Sequence, residues 1–217
     1  MKKKALVFDF DGTLVDSFKL ENDSMLYAIN SNSCNTNVTE ENITSYYGPT
    51  EKGIINQFVD VPYQEKAFND FLYFYEKEAY KYKLFPRLEK LLFKLKLNNS
   101  IQLFLITGRG KQSLDISLKV NNLTNFFIKE YTGSDTGINK EESIETLIHD
   151  YGLNKEEILY LGDTIADINS MNKAGVEILS CGYSHDREYQ DRLNVLNNGK
   201  VVSSIAQLEE FLNYYIN

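Results

Sequence analysis

Several chemistries are excluded by what the sequence has little of. Its 217 residues hold two cysteines, Cys34 and Cys181, far apart in the chain. That spacing forms neither a disulfide framework nor a metal-ligand pair, so two reduced thiols are expected. Histidine is equally scarce, and neither His149 nor His185 stands at the end of a strand-like run. No stretch approaches the roughly 18 apolar residues a spanning helix needs. The basic start, Met1-Lys2-Lys3-Lys4, is followed by an apolar run that Asp9 and Asp11 interrupt, so no signal peptide is expected. Basic residues form no clustered stripe, and 31 acids against 23 bases leave a formal net charge of -8. Binding along a nucleic-acid backbone is therefore not expected. The expectation is a soluble, cytoplasmic protein with neither membrane nor nucleic acid as partner. Hydrophobic residues at 42% and charged residues at 25% match globular averages and exclude bulk disorder. The acidity also sits awkwardly with an anionic substrate.

The length suits one α/β domain, or a modest domain carrying a smaller one. Ala5-Leu6-Val7-Phe8 is an unbroken apolar run of strand formers, as in a strand buried on both faces. Ile101 to Ile106, Ile158 to Leu161 and Val176 to Leu179 share this character, and Val201-Val202 adds a last short pair. Helical patterns cover Arg87 to Leu97, Lys111 to Val120, Lys140 to Tyr151, Ile165 to Lys173 and Ile205 to Tyr215. Strands alternating with helices predict a doubly wound, mainly parallel α/β sheet. The stretch from about Val15 to Leu84 breaks this rhythm. There Phe68, Leu72, Tyr75, Ala79 and Tyr82 recur at helical spacing, which predicts an apolar helix face used for core packing. A small all-helical cap over 15–84 is expected, inserted into a core of 1–14 and 85–217. Pro86 is expected to open the next helix, and Asn30 to Asn37 to be a loop between cap helices.

Ligands of open α/β sheets bind beyond the carboxyl ends of the strands, so the residues after each apolar run are the candidates. The first run ends in Asp9-Phe10-Asp11-Gly12-Thr13. Alternation puts Asp9 and Asp11 on one side, a costly like-charged pair unless a cation lies between them or one holds a proton. The second run ends in Thr107-Gly108-Arg109-Gly110, a hydroxyl among glycines opening a helix and suited to phosphate oxygens. The third is followed by Gly162-Asp163-Thr164-Ile165-Ala166-Asp167. Asp163 and Asp167 can face one point, although Asp167 also reads as an ordinary first-turn acid. Four carboxylates and a hydroxyl, with no Cys or His among them, suit Mg²⁺ better than zinc. The strand ends therefore point to a Mg²⁺-dependent site for a phosphoryl group.

Asp9-Phe10-Asp11-Gly12-Thr13-Leu14-Val15-Asp16-Ser17, Leu105-Ile106-Thr107-Gly108, Lys140, and Gly162-Asp163 through Asp167 resemble, in order, the four motifs of the haloacid dehalogenase superfamily. The resemblance spans the whole chain, including a helical cap between the first two motifs. Pro86 and Ala174-Gly175-Val176 are similar to its phosphoglycolate-phosphatase-like branch. It implies a Rossmann-like core, Asp9 as nucleophile forming an aspartyl-phosphate, and Asp11 as general acid and base. It also implies Mg²⁺ on Asp9, the Asp11 backbone carbonyl and Asp163, with Asp167 ordering that shell. Thr107 and Lys140 would hold the transferring oxygens, with Gly108 beside them. Glu141 stands where relatives often place a proline after the lysine, and Lys129 and Lys155 are rivals for the role. Lys140 has the family spacing to Asp163.

Asp11 argues against the dehalogenase and phosphonate-cleaving branches, which lack that acid. A β-phosphoglucomutase-like mutase shares both aspartates but uses a histidine and an arginine in the cap. Here the cap has neither. A non-catalytic Mg²⁺- or phosphate-binding regulator is the reading of another class, disfavoured because binding alone needs no second acid. A phosphatase acting on a small phosphorylated metabolite, as monomer or weak homodimer, is expected. Arg109 and Lys52 are the further substrate candidates. In Tyr46-Tyr47-Gly48-Pro49-Thr50-Glu51-Lys52, Thr50 reads equally as a substrate contact or a helix N-cap. His185 is expected to be an exposed loop residue.

Overall fold

The computed structural model describes residues 3–33, 38–137 and 139–216. Its centre is a six-stranded, all-parallel sheet in the order β3-β2-β1-β4-β5-β6. The strands are β1 (Ala5–Phe8), β2 (Gln102–Ile106), β3 (Glu130–Tyr131), β4 (Ile158–Gly162), β5 (Glu177–Cys181) and β6 (Val201–Val202). The four residues of β1 are wholly buried, and β1 pairs in register with β2 on one side and β4 on the other. Alternation explains the two-sided burial. Leu6 and Phe8 point into one hydrophobic cluster with Leu103, Leu105, Leu159 and Leu161, whereas Ala5 and Val7 enter the other with Phe104, Ile106, Ile158 and Tyr160. Each fully buried Leu, Val or Phe contributes roughly 1.5–3 kcal/mol, so β1 anchors the core.

Helices α5 (Leu88–Lys96), α6 (Lys111–Val120) and α10 (Ile205–Ile216) contribute to the first cluster; α7 (Lys140–Tyr151), α8 (Ile165–Ala174) and α9 (Arg187–Leu196) contribute to the second. The doubly wound sheet is thus as the alternating pattern predicts, and the helices over 111–120 and 140–151 match residue for residue. Two elements were not expected. β3 is two half-buried residues long, and α9 buries Leu193 alone, so neither carries an apolar signature.

Between β1 and α5 lie α1 (Phe18–Asn32), α2 (Glu40–Thr44), α3 (Glu51–Phe58) and α4 (Gln64–Glu78), packed around their own apolar cluster. Phe68, Tyr75 and Ala79 are buried in it, with Leu72 and Tyr82 half-buried against it. The chain leaves and re-enters the sheet side by side: Val15 bridges Leu84, and the Phe85 amide donates to the Leu14 carbonyl at 3.0 Å. Two local expectations need correction. Helix α1 runs on to Asn32, into the stretch read as a loop, while 34–37, with Cys34, lie outside the described residues. Pro86 does not open a helix: Arg87 takes a left-handed conformation (φ 74°) and α5 starts after it. Cys181 is buried and free. Among the described residues no helix is long and apolar enough to cross a membrane.

Candidate active site

The chain runs from β1 toward β2 and β3 on one side and toward β4, β5 and β6 on the other, so the strand order reverses between β1 and β4. In open α/β sheets ligands bind at such a reversal, beyond the carboxyl ends of the strands. Asp9 follows β1, and its amide donates to the Leu161 carbonyl at 2.8 Å; Asp163 follows β4. Asp167 stands on the first turn of α8, held by a reciprocal cap. The Thr164 amide and hydroxyl donate to Asp167 Oδ2 at 3.0 and 2.6 Å, and the Asp167 amide donates back to Thr164 Oγ1 at 3.1 Å. One carboxylate oxygen from each of Asp9, Asp163 and Asp167 lies within 4.8 Å of the others, and all three residues are buried. Gly12 makes room for this convergence. Its φ is +70°, and a Cβ built there would overlap the Asp163 carboxylate.

Lys140, at the start of α7, reaches into the cluster and donates to Asp9 Oδ2 and Asp167 Oδ1, both at 2.7 Å. The rival lysines are elsewhere: Lys155 donates to the Ala174 carbonyl and Lys129 lies over the Tyr131 ring. Asp9 Oδ1 accepts from the Phe10 amide at 2.7 Å, Asp163 Oδ1 from the Thr13 hydroxyl at 3.3 Å, and Asp167 Oδ1 also from the Tyr160 hydroxyl at 3.2 Å. Burial pushes the Asp9 carboxyl well above the ordinary aspartate range; Lys140 opposes the rise while Asp167 and Asp163 add to it. Burial likewise raises Asp163 against the bond from His185. At Asp167 the same burial is outweighed by Lys140 and the Thr164 bonds, which hold the carboxyl low. Burial would lower Lys140, but Asp167 and Asp9 raise it further than burial lowers it. With all three ionised, the buried carboxylates facing one ammonium would leave two negative charges over. A hard divalent cation fits both that charge and the all-oxygen donor set.

Thr107 is buried at the end of β2, its hydroxyl accepting from the Arg109 amide at 3.3 Å, with Gly108 half-buried beside it. Asp11 is not among the converging oxygens. Its carboxylate pairs with Arg109, at 3.0 Å to Nε and 2.5 Å to Nη2, and accepts from the Ser17 hydroxyl. The two motif carboxylates therefore pair with different side-chain cations, Asp9 with Lys140 and Asp11 with Arg109. Arg109 is wholly buried and occupied, also contacting Glu21 of α1 at 3.1 Å, the Tyr75 hydroxyl of α4 and Ser117 of α6, with the Phe10 ring against its guanidinium. Lys52 is not brought to the cluster; it pairs with Glu65 and lies over the Phe68 ring within the inserted helices. Thr50 caps α3, accepting from the Gly53 amide and donating to Asp135.

Several residues of the site carried no recognisable signal in the sequence. Glu51 accepts from the Gly110 amide at 2.8 Å and the Ser113 hydroxyl at 2.5 Å, stitching the inserted helices to the loop after β2. Glu21 and Tyr75 are met through Arg109, and Tyr160 through Asp167. His185 corrects an expectation outright: its ring is three-quarters buried and donates from Nε2 to Asp163 Oδ2 at 2.8 Å. For Thr164 a signal was present, since a Thr three residues before an Asp is the start of a capping box.

The model of the haloacid dehalogenase-like hydrolases matches residues 6–181. No curated protein sequence matches the chain. Among solved structures it is similar to a predicted phosphoglycolate phosphatase from Haemophilus somnus 129PT, at 18% identity and TM-score 0.79, covering 97% of this chain and 98% of that one. A predicted phosphatase from Clostridium acetobutylicum aligns at 20% identity and TM-score 0.76, covering 99% and 100%. A hydrolase from Pseudomonas syringae aligns at 19% and 0.74, also covering 99% and 100%. At such identities these likenesses establish the fold alone.

Proposed function

Since the chain belongs to the haloacid dehalogenase-like hydrolase family, we propose that it is a Mg²⁺-dependent phosphatase hydrolysing a small phosphorylated metabolite through an aspartyl-phosphate on Asp9. The observation that carries this reading is the buried Asp9 carboxylate at the sheet's reversal point, bonded to Lys140 and converging with Asp163 and Asp167. The phosphatase names of similar structures agree with it. Residues 15–84 form the cap in this reading, closing over a core of 1–14 and 85–217.

Asp9, Asp163 and the Asp11 backbone carbonyl would hold Mg²⁺, with Asp167 ordering that shell. The bound ion would supply positive charge that keeps Asp9 ionised and balances the phosphoryl oxygens. Asp9 attacks phosphorus, and the bond to the leaving oxygen breaks as a proton arrives from Asp11. Asp11 then takes a proton from the water that attacks the aspartyl-phosphate, freeing Asp9 and inorganic phosphate. Lys140, the Thr107 hydroxyl and the amides beside Gly108 hold the transferring oxygens where charge builds in the transition state. Because Asp11 is paired with Arg109 in this structure, its carboxyl must turn from Arg109 toward the leaving oxygen to deliver its proton. Arg109 then holds Asp11 only before it turns, and ties α1 and α4 of the cap to the core through Glu21 and Tyr75, while Lys52 has no role at phosphorus.

The test is phosphate release from an aryl phosphate and from a panel of phosphorylated metabolites, with Mg²⁺ and with a chelator. Hydrolysis that requires Mg²⁺ and disappears in Asp9→Asn is expected. Mg²⁺ binding without release from any ester of the panel would contradict the proposal, and isomerisation of a sugar phosphate without net release would point to a mutase.

A further inference from the structure

The loop after β5 carries a side chain that no motif accounts for. His185 lies 22 residues beyond Asp163, yet its imidazole makes the shortest hydrogen bond that the Asp163 carboxylate accepts, 2.8 Å from Nε2 to Oδ2. A carboxylate can only accept, so the ring donates. The other oxygen, Oδ1, takes the Thr13 hydroxyl at 3.3 Å. Both ends of this carboxylate are therefore fixed from the side, and its rotation about the Cβ–Cγ bond is blocked.

The imidazole is itself held in place. It stacks on Tyr189 with ring centroids 4.2 Å apart and planes inclined at 30°. The Tyr189 hydroxyl accepts from the Ile165 amide at 3.2 Å, at the first residue of the helix that carries Asp167. On the backbone, the His185 amide donates to the Gly182 carbonyl at 3.1 Å, and Gln190 donates to the His185 carbonyl at 2.8 Å. Tyr183, two residues earlier, donates from its hydroxyl to the Thr13 carbonyl at 2.6 Å. The loop thus ties itself to the segment after β1, to Asp163 and to the start of α8, three pieces that supply the converging carboxylates. A solvent-facing histidine would need none of these restraints.

We propose that His185 is a positioning residue for divalent-cation binding: it holds the Asp163 carboxylate in the orientation that faces Asp9 and Asp167. This rests on the reading of those three acids as a cation site. Ligating carboxylates depend on such outer hydrogen bonds, because three like-charged groups would otherwise turn apart before the ion arrives. Imidazole suits the task, being a rigid ring with one N–H aimed at a fixed distance from the backbone.

The experiment is direct titration of the metal-free protein with Mn²⁺, followed by electron paramagnetic resonance of the free ion, and with Mg²⁺ by calorimetry. Parent, His185→Ala, His185→Gln and the control His149→Ala, whose side chain is 90% exposed, are compared. His185→Ala is expected to bind about 10–100-fold more weakly, the usual effect of losing such a partner. His185→Gln keeps an N–H donor and should recover affinity to within about threefold of the parent, with His149→Ala unchanged. Unfolding midpoints measured in chelator identify any variant that has lost its fold, and His185→Gln keeps the question answerable if His185→Ala has. Unchanged affinity in a folded His185→Ala, or equal loss in Ala and Gln variants, would overturn the proposal; a parent that binds neither ion would overturn it together with the cation site. If the affinities fall as expected and no ester is hydrolysed, the phosphatase reading fails and this one stands.

Discussion

Lys140 illustrates how much of this site is decided by single side chains. Its ammonium touches two of the three converging carboxylates while almost completely withdrawn from water. Deleting one member of a buried ion pair costs about 3–5 kcal/mol, because the charge left behind has neither water nor partner. Lys140→Met should therefore lose about 3–5 kcal/mol of unfolding free energy in chelator, measured by urea denaturation, and regain part of it when Mg²⁺ is added. Equal stability with and without Mg²⁺ would contradict a cation site at these acids. Glu177 shows the same physics at the edge of β5, bonded to Lys3 and Lys200 at 2.7 Å each. Burial alone would raise its carboxyl, but the bonds from Lys200 and Lys3 outweigh burial and hold it below the ordinary glutamate value. A carboxyl lowered on folding stabilises the protein above its unfolded pKa, and that contribution disappears as pH falls through the folded value. Glu177→Gln should accordingly cost about 1 kcal/mol at pH 7 and almost nothing in strong acid, seen by comparing denaturation curves across pH. A difference that does not change with pH would exclude this explanation.

Among the elements, the inserted helices and the sheet layer meet through polar bonds beside an apolar seam, where Ile116 and Val120 of α6 pack against the inserted cluster and Tyr82 touches both clusters. Each has its own hydrophobic cluster, while Arg109, Glu51 and Thr50 make the crossing bonds. Separating the two parts would break those bonds and expose Ile116 and Val120. Glu51 is the simplest point at which to test the contact. Glu51→Ala leaves the Gly110 amide without its acceptor and the Ser113 hydroxyl with the Gly110 carbonyl at 3.1 Å, at a cost of about 1–3 kcal/mol to the contact between the two parts. Amide hydrogen exchange from Gly110 to Ser113 should quicken by about tenfold or more, while β1 and β4 keep their protection. Unchanged exchange would mean that Glu51 does not hold the two parts together.

At the scale of the molecule, most of the core was legible because a strand buried on both faces has to be an unbroken apolar run. Acids placed at the end of such a run stand out for the same reason. β3 and α9 lack that mark: the first is two residues long, and the second is largely polar. The candidate site was legible where a residue stands at its own strand end, as Asp9, Thr107 and Asp163 do. It was hidden where position depends on a distant partner. Arg109 is turned toward Asp11 by Glu21 and Tyr75 of the inserted helices, and His185 meets Asp163 through the path of the loop after β5. Net charge was similarly uninformative about the site, since a pocket built from buried acids becomes anion-binding once a divalent cation offsets them.

In the proposed reaction a carboxylate oxygen of Asp9 is the nucleophile that attacks phosphorus. Rapid mixing with a hydrolysable aryl phosphate labelled in its phosphoryl group, acid quenching and peptide mass spectrometry measure that directly. A phosphoryl group on the peptide containing Asp9, formed with Mg²⁺ and absent in Asp9→Asn, is the predicted result. Phosphate release that continues in Asp9→Asn, with no label on that peptide in the parent, would contradict it.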